Sequence, residues 1–416
     1  MKKNILVVDD SALMRRAICD IINSGDEFEA TDTCRDGLEA YEKIKNNSYD
    51  AVLLDINMPR MNGLELLQKL QKENIRATVV VVSSLAKEDA KITIQAMEYG
   101  AIDFITKPEN IIEAKGVQFR TELSSLLNSI LPQAKTAKAA LSQPAASRQT
   151  PGRTPGMASF AGKQPGTAAS KTPSAASTRA ALSAAAARAS AAAGSASSAV
   201  NAAGTASAGA ARTVSRRASG GSGGKKLIAL ACSTGGPKSL QSVIPYLDKN
   251  MDAPMVLVQH MPTGFTKSMA ERLNELSKVQ VKEAQENDVL KKGCVYVAPG
   301  GYHLEVVAAK DGTHKIHLSD APAIGGLRPC ANVMYRSLKR SSYDEIVCVV
   351  LTGMGADGTD GIKELNRAKP IYVIAQDEPT CVVYGMPKAI AEAGLVDEVV
   401  PLTNIPKRII NQVGVK

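Results

Sequence analysis

No stretch of the 416-residue chain holds the roughly 18 uninterrupted apolar residues that a membrane span needs. Its start, Met1-Lys2-Lys3-Asn4-Ile5, runs into a short apolar block that ends at Asp9-Asp10. The longer apolar core and small-residue cleavage site of a secretory leader are missing there. The seven cysteines contain no C-x-x-C pair, which argues against a disulfide framework and against a zinc ribbon. A cytoplasmic protein with no membrane insertion is expected. Acidic residues are absent between Gln133 and Gly224, where 11 of the 50 Lys and Arg residues lie. The remainder carries 39 basic against 41 acidic residues, so the net charge of +9 belongs to a tail-like segment. A nucleic-acid partner is not expected, because DNA binding concentrates Lys and Arg on a folded face.

Large apolar side chains are also nearly missing from residues 131–224, which are dominated by Ala, Ser, Gly, Pro and Thr. Such a segment cannot bury enough surface to offset its ordering entropy, so a long disordered linker is expected. Its Ala-rich centre, 178–198, favours at most a transient helix. The linker separates an expected first domain, 1–130, from a second, 225–416. A flexible chain of about 90 residues spans on the order of 50 Å, which lowers the effective concentration of one domain at the other.

Both flanking regions alternate short apolar runs with helical spacing. The first has runs at Ile5–Val8, Ala51–Leu54, Thr78–Val82 and Asp103–Thr106, with predicted helices at Gly63–Lys72 and Lys87–Tyr99. The second has runs at Leu227–Ala231, Met255–Gln259, Val295–Ala298, Ile346–Leu351 and Ile371–Ala375. The valine run Val79–Val82 does not alternate, as expected of a strand covered on both faces. Strands alternating with helices imply two α/β domains with parallel, doubly wound sheets, whose sites lie at strand carboxyl ends.

Asp9 and Asp10 close the first strand of the first domain, and Asp55 closes the third. Ser83 and Lys107 follow two further strands. Three converging carboxylates suit Mg²⁺, and an ammonium with a hydroxyl beside them suits a phosphoryl group. The set fits attack of Asp55 on a phosphoryl donor. The alternative is that strand-end aspartates cap helices or face solvent.

Val7-Val8-Asp9-Asp10-Ser11, Leu53-Leu54-Asp55-Ile56-Asn57-Met58-Pro59, Val82-Ser83-Ser84 and Lys107-Pro108 together resemble a response-regulator receiver domain over residues 3–130. The resemblance implies a flavodoxin-like fold with phosphorylation at Asp55. It implies Mg²⁺ held by Asp9, Asp10 and Asp55, and Ser83, Phe104 and Lys107 as the groups that sense the phosphoryl. It also implies a histidine kinase as phosphodonor.

In the second domain, the first strand leads into Ala231-Cys232-Ser233-Thr234-Gly235-Gly236-Pro237. A serine on such a turn presents its hydroxyl at the sheet edge, near a helix start that favours developing negative charge. Equally, a serine there can simply cap the helix. Of the four histidines, His260 alone ends a strand. His303, after Gly300-Gly301, lies nearer the expected cleft than His314 and His317, whose spacing in a predicted hairpin sends them to opposite faces. Asp357, in the glycine loop after Ile346–Leu351, completes an acid, a base and a nucleophile at three strand ends. The same loop, Gly353-x-Gly355-x-x-Gly358 with Asp377 beyond the next strand, also fits a dinucleotide-binding fingerprint. Against that reading, Asp357 would repel a pyrophosphate.

Ser233-Thr234-Gly235-Gly236-Pro237, Val258-Gln259-His260-Met261-Pro262, Gly353-Met354-Gly355-Ala356-Asp357-Gly358 and Val383-Tyr384-Gly385-Met386-Pro387 resemble the CheB-type methylesterase domain, from Lys226 to Val400. The resemblance implies a Rossmann-like hydrolase that needs no cofactor. Ser233 is then the nucleophile, His260 the general base and acid, and Asp357 its orienter, with Thr234 and Met354 lining the oxyanion site. The substrate would be methylated chemoreceptor helices, with deamidation of receptor glutamines by the same route. Two departures stand out. Arg328-Pro329-Cys330-Ala331-Asn332 sits where the family often has Arg-Pro-Ser and then Val-Asp, and Cys232 is a less usual neighbour of the nucleophile. A regulator whose second domain only binds a partner is the reading of another class. A transcription factor fits less well, since the second domain is large and near neutral.

Overall fold

Apolar runs that turn polar only at their carboxyl ends set the central strands of two parallel sheets. The computed structural model describes residues 2–108, 110–114, 116–131 and 224–416. The linker expected over 131–224 lies outside the described residues except at its two ends. In the first domain the order is β1 (Lys3–Val8), α1 (Ala12–Asn23), β2 (Phe28–Cys34), α2 (Gly37–Asn46), β3 (Ala51–Asp55) and α3 (Gly63–Lys72). There follow β4 (Val79–Ser83), α4 (Lys87–Glu98), β5 (Asp103–Thr106), α5 (Ile111–Ala114) and α6 (Val117–Ile130).

The predicted runs match β1, β3, β4 and β5. They omit β2, which carries no apolar run: it alternates exposed and half-buried residues between Phe28 and Cys34. All of β4 is buried, since helices cover both of its faces. The strand order β2-β1-β3-β4-β5 reverses between β1 and β3. That reversal opens a crevice at the carboxyl ends of these two strands, where Asp9, Asp10 and Asp55 emerge.

The second domain begins with β6 (Lys226–Cys232), α7 (Gly236–Val243), β7 (Met255–Gln259), α8 (Phe265–Leu276), β8 (Gln280–Glu283) and β9 (Cys294–Val297). It continues through a separate antiparallel hairpin, β10 (His303–Ala308) and β11 (His314–Ser319), to α9 (Ala331–Ser337) and β12 (Glu345–Val350). It ends with α10 (Thr359–Ala368), β13 (Ile371–Gln376), α11 (Met386–Glu392), β14 (Glu398–Val400) and α12 (Ile405–Val413). His314 is buried and His317 exposed, as their spacing predicts. The seven strands run parallel in the order β14-β13-β12-β6-β7-β9-β8. Here the reversal lies at β6, flanked by β7 and β12.

Alternate residues of β6 feed cores on opposite faces: Leu227, Ala229 and Ala231 on one, Ile228, Leu230 and Cys232 on the other. The fully buried Tyr335 of α9 fastens the first face, its hydroxyl donating to the carbonyls of Ala229 and Val349. Ala90 and Ile94 of α4 join Leu240, Phe265 and Met269 in the core of the other face. One apolar core therefore continues from the first domain into the second, and the two form one compact unit. Among the described residues no helix is long and apolar enough to cross a membrane.

Candidate functional site

Cys232 of β6 pairs with Gln259 of β7, so the next residues, Ser233 and His260, leave neighbouring strands at the same level. The His260 N–H donates to the Cys232 carbonyl at 3.2 Å, and the Ser233 N–H to that of Thr352, just past β12, at 3.0 Å. Residue 353 must then be glycine. A Cβ there would lie 2.8 Å from the Ser233 Cβ and 2.4 Å from the Met386 sulfur. Ser233 does not cap a helix: the residue at the start of α7 is Gly235, at φ +75°, with no side-chain cap.

Asp357 reaches the group from the loop after β12. Its Oδ2 meets His260 Nε2 at 2.8 Å and accepts the Ala331 N–H at 2.6 Å. Its Oδ1 accepts the N–H groups of Asn332 (3.0 Å) and Gly358 (2.9 Å), and the Cys330 thiol lies 3.2 Å away. Burial alone would raise this carboxyl. The bond and charge of His260 and the two backbone N–H groups at the start of α9 outweigh burial and hold it down at about 2. The dinucleotide reading fails here, because the Asp357 carboxylate stands at the start of α10 and itself takes the Gly358 N–H that a pyrophosphate would need.

Among the described residues no hydrogen bond engages Ser233 Oγ or His260 Nδ1. Nucleophile–base contacts are often long in a free enzyme and tighten around substrate. The backbone N–H groups of Thr234 and Met354 likewise donate to nothing among the described residues. Thr234 is half-buried and Met354 exposed. His303 is not part of the group. It is buried in β10, with Nε2 3.2 Å from the Pro322 carbonyl oxygen.

In the first domain, ligand atoms of Asp9, Asp10 and Asp55 lie within 4.8 Å of one another. Lys107 Nζ bridges Asp9 Oδ2 at 2.8 Å and Asp55 Oδ2 at 2.6 Å. One ammonium does not neutralise this cluster. Burial pushes Asp55 up to about 6 and raises Asp9 as well, despite Lys107. An all-oxygen donor set in charge deficit fits a hard divalent cation such as Mg²⁺. The Ser83 hydroxyl is turned to α4, where it accepts from Thr93 at 2.6 Å. Phe104 stacks on Phe265 of the second domain, ring centroids 4.5 Å apart.

Asp103, beside Phe104, belongs to none of the sequence motifs. Its Oδ2 accepts the N–H of Gly235, two residues past Ser233, at 3.3 Å. Burial lifts this carboxyl to about 7, against the bonds from Phe104, Gly235 and Thr234. Arg272 clasps Glu98 through two bonds of 2.6 and 2.9 Å, and Gln241 donates to the Ile94 carbonyl at 3.2 Å. The only sequence signal was an acid opening an otherwise apolar strand.

The family model for the CheB methylesterase matches residues 228–409, and that for the response regulator receiver domain matches 5–115. The protein-glutamate methylesterase/protein-glutamine glutaminase 1 of Syntrophomonas wolfei is 35% identical over 413 residues, covering 99% of each chain. Its counterpart from Bacillus subtilis is 34% identical, covering 97% of each. Among solved structures, the CheB methylesterase catalytic domain of Thermotoga maritima is 42% identical, with TM-score 0.44, over 45% of this chain and 99% of that one. The response regulator domain of Thermotoga maritima CheB is also 42% identical, with TM-score 0.27, over 31% and 92%.

The contacts of Asp357 predict a pH-dependent stability. A carboxyl held near 2 against an ordinary 3.8 stabilises the fold fully above the ordinary value and loses that contribution as pH falls through about 2. Asp357→Asn is therefore expected to cost about 2 kcal/mol at neutral pH. In thermal melts at a series of pH values, its curve should converge on wild type toward pH 2.

Proposed function

The chain belongs to the family of CheB methylesterases in which a hydrolase follows a response-regulator receiver domain, and on that premise we propose that it removes methyl groups from glutamate γ-methyl esters of chemoreceptors under control of phosphorylation at Asp55. The observation that carries the reading is the 2.8 Å His260–Asp357 contact beside the strand end bearing Ser233. With Nε2–H given to Asp357, His260 keeps Nδ1 free to take the Ser233 proton. Ser233 Oγ attacks the ester carbonyl, and the N–H groups of Thr234 and Met354 face the developing oxyanion. His260 returns the proton to the leaving methoxide, and methanol departs. Water, deprotonated by the same imidazole, then frees glutamate from the acyl-enzyme. A receptor glutamine follows the same path with ammonia as the leaving group.

Control rests on the receiver. Asp55 accepts a phosphoryl group from a histidine kinase or a small phosphodonor, and Lys107 steadies the phosphoryl oxygens. Asp9, Asp10 and Asp55 would hold Mg²⁺, which supplies positive charge to an in-line transfer. Unphosphorylated, the receiver sits against the nucleophile turn through Asp103 and Phe104 and obstructs a receptor helix. The cytoplasmic face of the membrane, where receptor helices project, is the place of action.

Three measurements test this. Ser233→Ala and His260→Ala should keep their fold and lose methanol release from methylated receptor, on the order of 10⁴-fold or more; wild-type release by Ser233→Ala would end the esterase reading. Asp103→Ala strips the Gly235 N–H of its buried partner. Turnover of the unphosphorylated variant should rise toward that of phosphorylated wild type, and an unchanged rate would remove the Asp103–Gly235 bond from the inhibition. Labelling of Asp55 by acetyl phosphate should stop with EDTA and in Asp55→Asn. Labelling that persists in EDTA would remove Mg²⁺ from the scheme.

A further inference from the structure

Gln259 closes a strand of otherwise apolar residues, Met255–Val258, and is 2% exposed. Its amide sits between the turns that carry the nucleophile and the base. Nε2 donates to the carbonyl of Ser233 at 3.0 Å and to that of His260 at 3.1 Å. Oε1 lies 3.0 Å from the Cys232 sulfur and accepts its thiol. Two carbonyl acceptors leave the amide one orientation, with NH₂ toward the main chains. Among the described residues no other side chain bonds the backbones of both Ser233 and His260. Gly236 records the same amide: a Cβ there would lie 1.9 Å from Oε1. The Ser233 carbonyl also accepts the Gly236 N–H at 2.7 Å, so the amide braces the turn on which the hydroxyl is mounted.

We propose that Gln259 is a positioning residue that fixes the separation of nucleophile and base by tying their two main chains to one buried amide. The proposal rests on the reading of Ser233, His260 and Asp357 as the hydrolytic group. Ser233 and His260 share no direct side-chain bond in the free protein, so their spacing depends on the backbones behind them. Beside the ladder bond from the His260 N–H to the Cys232 carbonyl, Gln259 is the side chain that joins those backbones past the strand ends, and it reaches neither substrate nor the reacting atoms. Its loss should slow proton transfer and attack while leaving receptor binding alone.

The test uses the full chain and two readouts under identical conditions, methanol release and the rate of Ser233 labelling by a fluorophosphonate. Gln259→Met keeps length and removes all three polar contacts. Gln259→Glu keeps shape but turns an acceptor toward two carbonyls. Each should lower kcat by about 10- to 100-fold, with KM within about twofold of wild type and labelling slowed by the same factor per folded molecule. Gly236→Ala, whose Cβ pushes the amide aside, should show the same signature and decides the matter if the Gln259 variants do not fold. Wild-type labelling in any folded variant, or a raised KM with unchanged kcat, overturns the proposal. Labelling of Ser233→Ala at the wild-type rate would instead overturn the assignment of the nucleophile and leave Gln259 as a core residue.

Discussion

The parallel pairing of β6 with β7 on one side and β12 on the other is the constraint on which the second domain depends. A parallel ladder brings carboxyl ends to one edge of the sheet. The register Cys232↔Gln259 places a hydroxyl and an imidazole side by side before any side chain interacts. Val350 pairs with Ala231, which brings the glycine loop after β12 to the same edge. Continuous burial on both faces fixes that register, because slipping β6 by one residue would exchange the sets that feed the two cores.

Three buried carboxyls show how far surroundings decide chemistry. Burial opposes charge at each, and what differs is the supply of donors. Asp357 collects three backbone N–H groups and His260, and settles at about 2. Asp55 has chiefly Lys107, shared with Asp9, and rises to about 6. Asp103 is met by dipoles alone and rises to about 7. A stably charged carboxylate, a carboxylate short of positive charge, and an acid readily made neutral follow from those donor sets.

What could be read from the sequence follows the same physics. Strands buried on both faces announce themselves as apolar runs, so the central strands and the ends bearing Asp9, Asp55, Ser233, His260 and Asp357 were legible, while the strand order and the short edge strands β8 and β14 were not. Strand β2 was not, because it lies at the sheet edge and alternates half-buried Ala30 and Asp32 with exposed neighbours. Gln259 read as the last residue of a strand, since nothing local shows that its amide turns inward to two carbonyls. Asp103 was hidden for a further reason. Its partner, the Gly235 N–H, lies 132 positions away in the other domain, beyond any local pattern.

The placement of Ser83 supplies a physical route between the two halves. Its hydroxyl is held by Thr93, in the middle of α4, while Ala90 and Ile94 of the same helix are buried in the core of the second domain. On the proposed reading, a phosphoryl group on Asp55 accepts from the Ser83 O–H, and drawing that side chain toward the phosphoryl strains the bond it accepts from Thr93. The tie from β4 to α4 then weakens at the point where α4 grips α7 and α8. Phe104 on the adjoining strand stacks on Phe265 of α8, and Asp103 beside it holds the nucleophile turn. On the proposed reading, one change of partner at Ser83 therefore bears on both anchors of the docked receiver. Apolar contact, the Asp103–Gly235 bond and the part-buried Arg272–Glu98 pair hold that interface together, so releasing it also parts an ion pair.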